Sequence, residues 1–153
     1  MPALTALVER YRVTQPFKDS RIAVCVIPTP ETGNLVWALG QLGARITLCS
    51  DNVISVDDDV AAAVAGWGIS VFGKRDQTRE EFFQCIRWAT KFYGPQGETL
   101  LPTQIIDDGA DMTQLIHREK VDWLHQLLVI TEQTTCGINF DNGLVRRGSC
   151  WYR

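Results

Sequence analysis

Arg21-Ile-Ala-Val-Cys-Val-Ile27-Pro28-Thr29-Pro30-Glu31-Thr32 is the stretch that decides the fold. Its first seven residues are a β-rich apolar run, the kind buried on both faces of a parallel sheet. Thr29 then suits a helix N-cap. Pro30 is tolerated at the first helical position, and Glu31 complements the positive helix end. A strand therefore runs directly into a capped helix.

The same alternation extends outward. The first helix is expected to run to about Leu42 and stop at Gly43. A second strand covers 44–49, a loop 50–56, a helix about 57–65 ended by Gly66, and a third strand 69–72. Thr78-Arg-Glu-Glu81 reads as a capping box that opens a helix carrying Phe82, Ile86, Ala89 and Tyr93. Gly94-Pro-Gln-Gly97 reads as a loop and 104–107 as a fourth strand. Asp111-Met-Thr-Gln114 reads as a second capping box, opening a helix toward His117 that resumes near Val121. The fifth strand covers 127–131, and residues 137–153 carry no clear pattern. The expectation is one α/β domain over 1–153, three layers deep, with a mostly parallel Rossmann-like or flavodoxin-like sheet of about five strands.

Composition sets the bounds. The 153 residues are 45% apolar and 22% charged, ordinary for one globular domain. A net charge of −3 argues against nucleic acid or an anionic membrane as partner, since both reward a basic patch. No apolar run reaches the ~20 residues of a membrane span, and the N-terminus shows no secretion signal. The five cysteines, Cys25, Cys49, Cys85, Cys136 and Cys150, are scattered without a CxxC. Reduced thiols in a cytoplasmic protein fit this better than a zinc site. Cys25 and Cys49 lie in apolar runs and read as core.

In parallel sheets, ligands bind outside the carboxyl ends of the strands. Pro28 to Thr32, Asn52, Asp107-Asp108-Gly109 and Glu132-Gln-Thr-Thr135 all stand at such ends. Their Thr, Glu, Asp, Gln and Asn side chains make this edge the expected site. Asp57-Asp-Asp59 reads instead as a solvated helix start, and Trp37, Trp67, Trp88 and Trp123 as core or interface. Arg146-Arg147 reads as a solvated turn. No signal marks His125.

These same segments resemble S-adenosylhomocysteine hydrolase. Cys25-Val-Ile-Pro-Thr-Pro-Glu-Thr32 is similar to the family's C-L-H-M-T-V-E-T. Cys49-Ser-Asp-Asn-Val-Ile-Ser-Val-Asp-Asp58 is similar to S-S-C-N-I-F-S-T-Q-D. Val60 to Phe72 resembles A-A-A-A-I-A-x-x-G-I-P-V-Y. Ile105 to His117 resembles I-L-D-D-G-G-D-L-T-N-L-I-H, and Thr131 to Gly137 resembles S-E-E-T-T-T-G. The likeness covers about 8–137. It implies that Thr29 and Glu31 grip a nucleoside and that Asp108 contacts the ribose region. Gln133 stands where the family has a sugar-binding Glu. Thr134 and Thr135 stand where the family touches NAD, with Cys136 in the next place. His117 matches a helix position and reads as structural.

The departures are as informative. Ile27 replaces a family His, Asp51 replaces a Cys, and Gln133 replaces a Glu. Phe140-Asp141-Asn142 echoes a family F-D-N, but Gly137 stands where the catalytic Lys would be. The family chain is much longer and carries an NAD-binding domain, and this sequence has no G-x-G-x-x-G. Hydride chemistry belongs to the cofactor, so no NAD-dependent cycle is expected of this chain alone. Neither a cofactor nor a metal is expected.

Three readings follow. The first is an NAD-independent enzyme for a non-redox elimination, isomerisation or cyclisation, with Glu31 and Asp108 catalytic. Ile27, Thr29, Thr32, Asn52, Asp107, Gln133 and Thr134 would bind its substrate. The second is a non-catalytic module for nucleosides or thioethers like S-adenosylhomocysteine. The third is one subunit of a split NAD enzyme. The residues alone also allow Glu31 and Asp107 or Asp108 to serve only the neighbouring helix and turn. The partner is a small molecule, and self-association through an exposed former domain face is expected.

Overall fold

The computed structural model describes residues 1–139. Five strands form one all-parallel sheet: β1 (Arg21–Cys25), β2 (Arg45–Cys49), β3 (Ser70–Phe72), β6 (Gln104–Asp107) and β7 (Val129–Glu132). Their order is β3-β2-β1-β6-β7. A short antiparallel hairpin, β4 (Phe92–Tyr93) with β5 (Thr99–Leu100), stands apart.

Side-chain alternation sorts the core into two layers. Ile22, Val24, Ile46 and Leu48 face α2 (Pro30–Gln41) and α3 (Asp58–Gly66), packing with Val36 and Val64. Ala23, Cys25, Cys49 and Ile105 face the opposite side. There they meet Phe82, Ile86 and Ala89 of α4 (Arg79–Ala89), and Met112, Leu115 and Ile116 of α5 (Asp111–Glu119). Both sheet faces are therefore covered, which is why the strands read as continuous apolar runs. Cys25 and Cys49 are fully buried, as expected. A 3-10 helix (Val121–Gln126) leads from α5 to β7.

Several boundaries differ from expectation. The N-terminal segment is a helix, α1 (Pro2–Tyr11), whose Val8 and Leu4 pack against Ala38, Leu42 and Trp37. β1 ends at Cys25, two residues early, because the chain turns toward the α2 cap. The first helix does stop before Gly43, whose φ of +101° suits glycine, and a Cβ there would meet the Lys18 backbone at 3.0 Å. The second expected stop is misplaced: α3 includes Gly66, and the left-handed glycine is Gly68. α4 has the full Thr78–Glu81 capping box. It ends at Ala89, and Tyr93 belongs to the hairpin. α5 has no capping box, since its N-cap is Ala110 in a left-handed conformation with no side-chain cap bond.

Candidate functional site

The switch in strand order falls between β1 and β6. From β1 the sheet grows one way through β2 and β3, with α2 and α3 on one face. It grows the other way through β6 and β7, with α4 and α5 on the opposite face. Such a point leaves a crevice at the carboxyl ends of the two central strands. Thr29 and Glu31 follow β1, and Asp108 follows β6, so the strand pairing brings these segments to one edge.

On the β1 side, Thr29 caps α2: its hydroxyl oxygen accepts the Thr32 N–H at 3.3 Å and lies 3.4 Å from the Thr32 hydroxyl. Thr32 is buried and Ile27 half-buried. Glu31 is exposed in the first turn and makes no side-chain hydrogen bond among the described residues. After β2, Asn52 closes a turn, its Oδ1 accepting the N–H groups of Ile54 at 3.1 Å and Ser55 at 2.8 Å. Asp57 caps α3, accepting from Asp59 and Val60, and Asp58 and Asp59 are exposed in its first turn. That is the solvated helix start expected of this run.

The β6 side is a carboxylate-built corner. Register pairs Asp107 with Glu132, and alternation puts both on the α5 face. Asp107 is fully buried. Its Oδ2 accepts the N–H and the hydroxyl of Thr113, each at 2.8 Å, and its Oδ1 accepts the Asp108 N–H at 3.2 Å. Burial nevertheless pushes its pKa up to about 7, with the Glu132 charge adding to the shift and the Thr113 bonds opposing it. Glu132 accepts the N–H groups of Gly109 (2.9 Å), Ala110 (3.0 Å) and Thr134 (2.7 Å). Gly109 (φ +80°) and Ala110 (φ +62°) are consecutive left-handed residues, and their N–H groups converge on this carboxylate. These long-range contacts do the work the capping box was expected to do, satisfying the start of α5.

The sequence-predicted residues thus divide. Asp107 faces inward and positions α5. Thr134 is drawn into the same corner: its hydroxyl donates to Glu132 at 2.8 Å and accepts the Gly109 N–H at 3.1 Å. Gln133 is exposed, its N–H held by the Asp107 carbonyl at 3.0 Å. Asp108 is half-buried at the edge itself. Its pKa is raised by burial and by Glu132, against a hydrogen bond with Thr134.

Asp51, at the end of β2, is the acid missing from the expected set. Burial and the charge of Asp108 push its pKa up to about 6, and its Oδ1 is buried without a hydrogen-bond partner among the described residues. Asp51 therefore senses the charge of Asp108 across this edge. Its place beside Asn52 at a strand's carboxyl end was the signal available in the sequence. Phe140, Asp141, Asn142, Arg146 and Arg147 lie outside the described residues. Among the described residues no group of three or more His, Cys, Asp or Glu side chains could hold a metal ion. No described helix is long and apolar enough to cross a membrane.

A family model described as S-adenosyl-L-homocysteine hydrolase matches residues 1–146.

Proposed function

From a chain that belongs to the S-adenosyl-L-homocysteine hydrolase family, we propose a domain that binds a nucleoside-type small molecule at the carboxyl ends of β1, β2 and β6. The observation that carries this reading is the switch point between β1 and β6, flanked by Thr29, Glu31 and Asp108. Thr29 and Glu31 offer a hydroxyl and a carboxylate to the base or sugar from the start of α2. Asp108 offers an acceptor to sugar hydroxyls. Ile27 and Gln133, in place of His and Glu, make the pocket less polar, so adenosine is held weakly or a less polar relative is preferred.

A second reading is favoured by one observation, the raised pKa of Asp51 beside Asp108. A carboxyl group titrating near 6 can take and return a proton close to neutral pH. Asp51 with Asp108, in place of Glu31 with Asp108, then serves the non-redox elimination, isomerisation or cyclisation expected from the sequence. Self-association and a cytoplasmic location belong to the same proposal.

Thermal unfolding with millimolar adenosine and S-adenosylhomocysteine tests the binding reading. A ligand that binds only the native state raises the melting temperature as RT ln(1 + [L]/Kd). The expected result is a rise with at least one nucleoside that is lost in Asp108→Ala. No rise with either compound overturns the reading.

A further inference from the structure

Away from the switch point, a groove of about 580 Å³ lies between the chain leaving β3 and one face of α4. Gly73, Lys74, Gln77, Glu80, Cys85 and Trp88 line it. The groove opens beyond β3, the edge strand of the sheet, whereas the switch point lies between β1 and β6. The volume falls within the ~300–1,000 Å³ usual for small-molecule sites.

Gln77 is the informative residue. Only 5% of it is exposed. Its Oε1 accepts the Lys74 N–H at 3.3 Å and the Cys85 thiol at 3.7 Å, which fixes the oxygen end of the amide. The Nε2 donor is left with no partner among the described residues. A buried orphan donor calls for an acceptor from outside the fold. The rest of the lining defines the molecule that carries it. Trp88, 47% exposed, presents a flat apolar surface, and Phe72 supports its ring at 6.2 Å. The charges exclude an anion: Lys74 lies 3.8 Å from Glu81, and Glu80 adds a second carboxylate.

We propose that this groove is a second ligand site, for a neutral planar compound bearing an amide or lactam edge. The carbonyl accepts from Gln77, the amide N–H donates to Glu80, and the ring lies on Trp88.

Benzamide is a direct probe, titrated into ¹⁵N-labelled protein. It is expected to shift the side-chain amide pair of Gln77 and the indole N–H of Trp88 saturably, leaving the Asp108 amide unmoved. Benzoate, with a carboxylate facing Glu80 and Glu81, is expected to bind more weakly. Gln77→Leu should weaken benzamide by roughly 3- to 10-fold, and Trp88→Ala, a surface change, by a similar factor of about 3- to 10-fold. No saturable shift at either group, or undiminished binding in Trp88→Ala, overturns the proposal whatever the fate of Gln77→Leu.

Discussion

Asp107 Oδ2 holds both the backbone N–H and the hydroxyl of Thr113, each at 2.8 Å, and so ties the last residue of β6 to the first turn of α5. A carboxylate that the strand pattern turns inward is thereby made into a helix cap. Thr113→Val removes one of these bonds and leaves the buried carboxyl less satisfied. The expected loss is about 1–3 kcal/mol of unfolding free energy, read by denaturant titration.

The buried state of Asp107 also sets a pH dependence. Its folded pKa of about 7 lies above the ordinary carboxyl value, so between roughly pH 4 and 7 the folded state holds a proton that the unfolded state has lost. Stability from this group is full below the ordinary value and declines as pH rises through 7. Asp51, at about 6, acts in the same direction. Unfolding free energy measured from pH 4 to 8 should fall with pH, and Asp107→Asn should flatten much of that slope.

Gly137 lies against the carboxylate that completes the corner. A Cβ at this position would sit 2.1 Å from the Glu132 carboxyl carbon. Gly137→Ala must push Glu132 off the Gly109 and Ala110 N–H groups. The expected cost is about 1–3 kcal/mol, with faster amide exchange at the start of α5. Unchanged exchange there would separate Glu132 from the cap.

Burial and the like charge of Asp108 raise the pKa of Asp51. Carboxyl carbon shifts followed against pH should place Asp51 near 6 and show it moving down in Asp108→Asn. An unmoved Asp51 would remove Asp108 from the causes and leave burial as the leading one.

The layered α/β frame was legible because its signals are local. The apolar run 21–27, the Thr29 and Thr78 caps and the glycine at 43 each depend on neighbours within a few residues. α1 was also legible, since Leu4, Leu7, Val8 and Tyr11 follow helical spacing. The hairpin that takes Tyr93 from α4 rests on pairing with 99–100, which helical periodicity does not register. The start of α5 was misread for a related reason. Asp111 and Gln114 spell a local cap, whereas Asp107 and Glu132, four and twenty-one residues away, do the capping. At the site, the convergence of Thr29, Glu31 and Asp108 on one edge followed from strand order. The inward turn of Asp107 could have been read from its alternation with Ile105. The coupling of Asp51 to Asp108 needed the fold.

The proposed ligand of the β1–β6 switch point is of the nucleoside type. The most direct measurement is a backbone amide map of ¹⁵N-labelled protein titrated with adenosine and with S-adenosylhomocysteine. Saturable shifts are expected to cluster at Ile27, Thr29, Asp51 and Asp108, with the hairpin at 92–100 unmoved. Saturable shifts confined elsewhere, or none with either compound, would contradict it.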